Sequence, residues 1–171
     1  DYEELPDLLR KGEIDVIMMG DDIGAQTGPL LSLDMWRKYF KKGFKTYIDI
    51  AHQYGIPIMY HSCGDVKQFI PDFIECGLDI LQSIQPKATN MDIKKLKQEF
   101  GKDIAFQGGM DIQHVLPLGK PEDVKAMAKY ALDSAKKGGG YIICTAHNIQ
   151  IDTPIENVVA LFEAYHEFGK Y

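Results

Sequence analysis

The chain has 171 residues, 45% hydrophobic and 11% aromatic, which is enough for one globular domain with a substantial core. Its formal net charge of −6, with the lysines scattered, leaves no basic stripe and argues against nucleic acid or an anionic membrane as a partner. Three scattered cysteines predict a reducing, cytoplasmic compartment, and no signal peptide or membrane span is visible. Because the first residue is Asp1 rather than Met, we expect that further chain precedes it.

The chain opens with a predicted helix over 5–10 and an apolar strand over 14–19. The strand ends at two acidic residues, Asp21 and Asp22. Carboxylates at a strand end either serve a functional site or cap the loop that follows, and the sequence leaves both roles open. We take this pair as candidate catalytic residues.

A long amphipathic helix is predicted over 33–51, with Ser32 as its N-cap. Trp36, Phe40 and Phe44 recur along it at helical spacing. Such a stripe indicates a face that packs into the core rather than a cofactor site.

The apolar run over 56–60 predicts a strand that stops abruptly at His61 and Cys63. If the backbone stays extended, side chains two positions apart point to the same face, so the imidazole and the thiol can converge on one metal ion. Ser62 would then point the other way. The alternatives are a histidine that donates to a backbone carbonyl and a cysteine that acts as a small buried apolar residue.

The rest of the chain repeats the alternation of strand and helix. Predicted strands cover 78–81, 104–106 and 141–144. Predicted helices cover 91–100 with Asn90 as cap, 121–136, and a C-terminal stretch that begins at a capping box from Thr153 to Glu156.

Two of these strands end at further candidate residues. Gly108 and Gly109 either let the backbone approach a ligand closely or make a turn, and with Asp111 we predict them as cofactor contacts. His147 lies in a polar strand end and is a candidate catalytic residue or metal ligand, or else holds its loop. Cys144 lies within the apolar strand, where packing is the expected role.

Short strands that alternate with helices, without a tight hairpin signal, predict an α/β fold with about five parallel strands joined by right-handed crossovers. Parallel α/β folds keep their sites at the carboxyl ends of the strands, where this chain has its polar residues. Five strands cannot close a (β/α)8 barrel. The sheet is therefore expected to be either open or most of a barrel.

Four motifs in this order resemble the C-terminal half of the uroporphyrinogen decarboxylase superfamily, which also contains the cobalamin-dependent methyltransferases. They are Gly-Asp-Asp-Ile-Gly-Ala-Gln-Thr-Gly-Pro at 20–29, His-Ser-Cys-Gly at 61–64, Gln-Gly-Gly-Met-Asp at 107–111, and Ala-His-Asn-Ile-Gln with Asp-Thr-Pro over 146–154. The resemblance implies that residues 1–171 are a single α/β domain, the C-terminal portion of a TIM-type barrel.

The resemblance also implies a metal site. Methyltransferase members hold zinc with a His-x-Cys and a more distant cysteine, and His61 and Cys63 match the first pair. Alignment on the following Asp-Thr-Pro places His147 at the distal cysteine position, and the thiol of Cys144 lies three residues earlier. We predict His147 as the third ligand and keep Cys144 as the alternative. Either Asp21 or Asp22 would be a further ligand or would orient one.

The expected function is zinc-assisted transfer of a methyl group between a corrinoid and a thiol or other small nucleophile. The corrinoid, such as methylcobalamin, is expected on a partner protein. Decarboxylase members carry a histidine in the distal region, so uroporphyrinogen decarboxylation in porphyrin biosynthesis is the alternative activity. A non-catalytic binding or assembly module is a third possibility.

A sheet of five parallel strands has two edges, which we expect at 14–19 and 141–144. Unpaired backbone groups beside apolar side chains favour association. The chain is therefore expected either to form a homo-oligomer or to be part of a longer chain. Light scattering over a concentration series, with hydrogen exchange at both edges, tests this: a monomer at all concentrations with protected edges contradicts it.

Overall fold

The computed structural model describes residues 14–170 together with Pro6 and Leu9. Its strands are β1 Ile17–Gly20, β2 Gly24–Ala25, β3 Gly28–Pro29, β4 Ile58–His61, β5 Ile80–Ile84, β6 Ala105–Met110 and β7 Tyr141–Thr145. Its helices are α1 Leu33–Tyr39, α2 Lys41–Gln53, a 3₁₀ helix Lys67–Phe69, α3 Ile70–Cys76, α4 Ile93–Phe100, α5 Val115–Leu118, α6 Pro121–Ala135 and α7 Ile155–Phe168.

Five strands form one parallel sheet in the order β1-β4-β5-β6-β7, which confirms the predicted α/β class. Strands that neighbour each other in this sheet follow one another in the chain, as right-handed crossover units do. β1 and β7 are the edges of this sheet, at the predicted positions. Whether these edges are covered in an assembly stays a prediction.

A small antiparallel hairpin was not predicted. β2 pairs with β3, and the hairpin is closed by a hydrogen bond of 2.8 Å from Leu30 N to Ile23 O. Strands of two residues are too short to show the alternation that identifies a strand in sequence. The predicted helix over 5–10 lies outside the described residues, apart from Pro6 and Leu9.

Three predictions of helix boundaries were wrong. The helix predicted over 33–51 is two helices, which meet at Phe40. The cap of α4 is Asp92, whose carboxylate accepts from Lys95 N at 3.1 Å, while the predicted cap Asn90 adopts a φ of 63°. No capping box forms at α7, because Pro154 is its N-cap and the buried Thr153 hydroxyl has no hydrogen-bond partner.

An aromatic cluster fills the core between the first helices and β4. Trp36 of α1 and Phe44 of α2 are both buried, as their spacing predicted, with ring centroids 5.5 Å apart. Phe40 is 45% exposed, because the break between the helices takes it off this face. Tyr60 of β4 packs edge-on against Phe44 at 4.9 Å. The cluster therefore anchors the strand whose last residue is His61.

A buried carboxylate of α3 binds one basic side chain from α1 and one from α2. Asp72 is 2% exposed and accepts from Lys41 Nζ at 2.6 Å and from Arg37 Nη2 at 2.9 Å. Hydrogen bonds from Arg37 and Lys41 hold the pKa of Asp72 below its usual value, although burial opposes them. Because the folded-state pKa is lowered, this contribution to stability is present above the unfolded pKa of about 3.9 and is lost as pH falls through the folded pKa.

We expect Asp72→Asn to lower the free energy of unfolding at pH 7 by about 1–3 kcal/mol, because the carboxylate receives charge-assisted hydrogen bonds. The variant should also lose less stability on acidification than the parent does. Glu75→Gln is the matched control, since Glu75 binds the same Lys41 at 2.7 Å but is 72% exposed. Urea unfolding of the three proteins between pH 7 and pH 3 measures both effects. Equal stability of Asp72→Asn and Glu75→Gln at pH 7 would contradict the prediction.

Within the part of the chain that the structure describes, no helix has the length and apolar character needed to cross a membrane.

Candidate metal centre

The His-x-Cys motif lies at the carboxyl end of β4, as predicted. His61 is the last residue of the strand, and its Nε2 lies 3.5 Å from the Cys63 Sγ. Ser62 points the other way and is buried, with its hydroxyl accepting a hydrogen bond of 3.1 Å from Ile23 N. The extended backbone thus places the imidazole and the thiol on one face.

His147 completes a group of three possible metal ligands. One ligand atom each of His61, Cys63 and His147 lies within 4.8 Å of the others, and the two imidazole rings are 5.8 Å apart at their centroids. His147 follows β7, which is three strands away from β4. In a flat sheet those strands would be about 14 Å apart, so the short distance between the rings fits a sheet that curls as part of a barrel.

Cys144, the alternative third ligand, is not part of this group among the described residues. Its Sγ donates to Thr145 O at 3.2 Å. Burial raises the pKa of Cys144 to about 11, and the thiol lies near enough to Tyr165 of α7 to contribute to a raised pKa there. This environment agrees with the predicted packing role.

The two acidic residues after β1 have different positions. Asp22 Oδ1 accepts from Cys63 N at 2.8 Å and lies 3.6 Å from His61 Nε2. Asp21 uses its backbone instead: its carbonyl accepts from the Tyr60 hydroxyl at 2.9 Å, and its N–H donates to His61 O at 3.0 Å. Of the pair, Asp22 therefore touches the candidate ligands with its side chain.

The Cys63 thiol is a poor acid in this environment. Burial raises its pKa, the Asp22 carboxylate raises it further, and the Ser83 hydroxyl acts in the opposite direction. Ser83 is fully buried, and its Oγ has no conventional hydrogen-bond partner. A positive charge close to the sulfur would oppose both effects and favour the thiolate.

A residue that the sequence did not single out contacts the other side of His61. The Nδ1 of His61 is hydrogen-bonded to the Oε1 of Gln82. The two residues are partners in the parallel register between β4 and β5. Gln82 and Ser83 belong to a polar strand end that is visible in the sequence, but no periodicity indicates which of its side chains reaches His61.

The loop that carries Cys63 is clamped between the hairpin and β5. Gln85 Oε1 accepts from Gly64 N at 2.9 Å and from Gln26 Nε2 at 2.7 Å. Gly64 has a φ of +79°, and a Cβ there would lie 2.4 Å from the backbone carbon of Gly24. Only glycine allows the backbone at position 64 to approach the hairpin this closely. The hairpin therefore fixes the position of the neighbouring Cys63.

The predicted cofactor contacts lie in β6, which contains Gly108 and Gly109, and directly after it at Asp111. A Cβ on Gly108 would lie 2.5 Å from Ile84 N, and one on Gly109 would lie 2.4 Å from the Tyr141 hydroxyl. Packing of the backbone thus accounts for both glycines. Asp111 is buried, and its Oδ1 accepts from Gln113 N at 2.8 Å, as the cap of a turn. Binding of a cofactor by these residues stays a prediction.

Comparisons with known proteins identify a family for this chain. The family model described as uroporphyrinogen decarboxylase (URO-D) matches residues 8–168. A uroporphyrinogen decarboxylase from Coxiella burnetii is 27% identical over 159 residues, which are 93% of this chain and 42% of that protein. A methylcobamide:CoM methyltransferase MtaA from Methanosarcina barkeri is 27% identical over 154 residues, 90% of this chain and 42% of that protein.

A solved structure, a methyltransferase from Methanosarcina mazei, superposes with a TM-score of 0.75 at 27% sequence identity. The superposition covers 99% of this chain and 47% of that one. This chain therefore spans less than half the length of these three relatives.

Proposed function

The chain belongs to the uroporphyrinogen decarboxylase family, and we propose that it is a zinc-dependent methyltransferase that moves a methyl group between a corrinoid and a thiol or other small nucleophile. The family relatives include enzymes named as methyltransferases and enzymes named as decarboxylases. The group formed by His61, Cys63 and His147 is the observation that favours the first activity.

The donor set fits zinc in both type and spacing. Ordinary zinc–sulfur and zinc–nitrogen bond lengths at a tetrahedral angle require the two donor atoms to be about 3.6 Å apart. The Cys63 Sγ and the His61 Nε2 are 3.5 Å apart. With His147 as the third donor, the protein leaves one tetrahedral position open, as catalytic zinc sites do.

Zinc bound by these residues would supply a Lewis acid that lowers the pKa of a coordinated substrate thiol and so makes it a nucleophile at neutral pH. One thiolate and two neutral imidazoles offset only one unit of charge on a dication. A substrate thiolate would therefore be attracted by the one remaining positive charge. Asp22 accepts a hydrogen bond from the Cys63 backbone N–H and so holds the loop in place. Its carboxylate, 3.6 Å from His61 Nε2, would offset part of the positive charge that remains on the zinc.

The position of the site suits a large methyl donor. His147 is exposed, and Asp22 has 57% of its side chain exposed. In the described part of the chain, the ligand group lies at the carboxyl end of the sheet, with His61 and Cys63 partly buried and His147 exposed. We infer that the corrinoid approaches from this side and is carried by a partner protein.

Uroporphyrinogen decarboxylation is the second candidate function, because a decarboxylase relative matches 93% of the chain, no less than the 90% that the methyltransferase relative matches. It would use His147 without a metal and gives no role to the neighbouring thiol.

Incubation of the purified protein with methylcobalamin and simple thiols, among them coenzyme M, tests the proposal. We expect loss of the methylcobalamin spectrum and formation of the methyl thioether, both abolished by a zinc chelator and restored by zinc. Uroporphyrinogen is supplied in a parallel reaction. Loss of its carboxyl groups, with no thioether in the first reaction, would establish the second function instead.

A further inference from the structure

The side of His61 that faces away from the ligand group is held by one neutral acceptor. We propose that Gln82 is a positioning residue that fixes the His61 imidazole as its Nδ1–H tautomer. This leaves the Nε2 lone pair pointing at the metal position. This proposal rests on the zinc site of the proposed function. Nothing in the relatives' names or in the sequence pattern assigns a role to this glutamine.

The backbone places the two side chains side by side. His61 and Gln82 are register partners in neighbouring parallel strands, and Ser62 N donates to Gln82 O at 2.7 Å. Side chains at paired positions leave the sheet on the same face. The Oε1 of Gln82 reaches His61 Nδ1 from there, while Cys63 Sγ lies 3.5 Å from Nε2.

The contact between Gln82 Oε1 and His61 Nδ1 determines which ring nitrogen of His61 carries the proton. An amide oxygen only accepts, so the Nδ1 that faces it must carry hydrogen, and a neutral imidazole then has its lone pair on Nε2. Zinc binds an imidazole nitrogen through that lone pair. Without the acceptor, the alternative tautomer would put hydrogen on Nε2 and block the bond until the proton moves.

The choice of glutamine has a further consequence. A carboxylate in this position would make the imidazole a stronger donor and offset more of the positive charge of a bound metal. A neutral amide orients the ring without adding charge, so the site keeps more of its attraction for a substrate thiolate. Gln82→Glu is therefore expected to bind zinc at least as tightly as the parent.

Three variants test the role of Gln82. Gln82→Met removes the acceptor at similar size, and Gln82→Glu keeps one. Gln107→Met is the matched control, because Gln107 is the register partner of Gln82 on β6, one strand further from His61. The tautomer of metal-free, ¹⁵N-histidine-labelled protein is read by long-range ¹H–¹⁵N NMR, with the His61 signals assigned by their loss in His61→Gln. Zinc affinity is measured by competition with a chromophoric chelator.

We expect an Nδ1–H tautomer in the parent, in Gln82→Glu and in Gln107→Met, and a mixture or the Nε2–H tautomer in Gln82→Met. Zinc affinity should fall about 10–100-fold in Gln82→Met alone. An Nε2–H tautomer in the parent would overturn the proposal, as would an unchanged tautomer and affinity in Gln82→Met. If the parent binds no zinc but shows the expected tautomer change, the proposed function fails while the orienting contact stands.

Discussion

Cys63→Ser is expected to remove nearly all zinc from a protein that otherwise purifies with about one ion per chain. The thiolate is the only anionic ligand in the group, so its loss leaves a dication held by two neutral imidazoles. The decrease in affinity should exceed the 10–100-fold that is usual when a residue that only orients a ligand is lost. His61→Ala should also lose zinc, but less, because an imidazole contributes no charge.

Metal analysis of dialysed proteins and chelator competition measure the two losses. Cys76→Ala is the control for removal of a thiol elsewhere, since Cys76 ends α3 in the core cluster built on Trp36 and Phe44. It should keep its zinc. Full zinc content in both Cys63→Ser and His61→Ala would exclude the site.

The second large effect distinguishes the two candidates for the third ligand. His147→Ala should lose most of its zinc, because its imidazole lies with the His61 and Cys63 donors within 4.8 Å. Cys144→Ala should keep its zinc, because among the described residues that thiol lies outside the ligand group and donates to Thr145 O.

His147→Cys extends the same comparison. A second thiolate should restore zinc and reduce the positive charge left for a substrate, so we expect tighter metal binding and weaker binding of the thiol. Zinc content and thiol binding are measured on all three variants. If Cys144→Ala loses zinc while His147→Ala retains it, the last strand is assigned in the wrong register.

The features of the site that follow from strand alternation were predictable. His61 and Cys63 share a face because they are two positions apart, and Ser62 points away for the same reason. His147 reaches them because the carboxyl ends of parallel strands lie together and the sheet curls. The distance from His147 to His61 and Cys63 depends on the curvature of the sheet, which a sequence pattern does not contain. The prediction of His147 as the third ligand therefore came from the family resemblance.

The contacts that support the ligands were not predictable in the same way. Gln82 meets His61 through the register between two strands, and register is set by pairing across the sheet rather than by spacing along the chain. The hairpin that clamps Gly64 is too short to show a strand pattern. Asn90 and Thr153 have residue types suited to caps, but Asp92 and Pro154 take those positions, because a preference for caps does not specify where a helix begins.

X-ray absorption at the zinc edge, recorded with and without a thiol, tests thiol activation at this centre most directly. Without thiol, the proposed site predicts one sulfur and two imidazole nitrogens around zinc, with lighter oxygen or nitrogen donors completing the shell. With thiol, a second sulfur should enter at the ordinary zinc–sulfur distance of about 2.3 Å. A shell that contains no sulfur, or a sulfur count that the thiol leaves unchanged, would contradict a zinc centre that activates thiols.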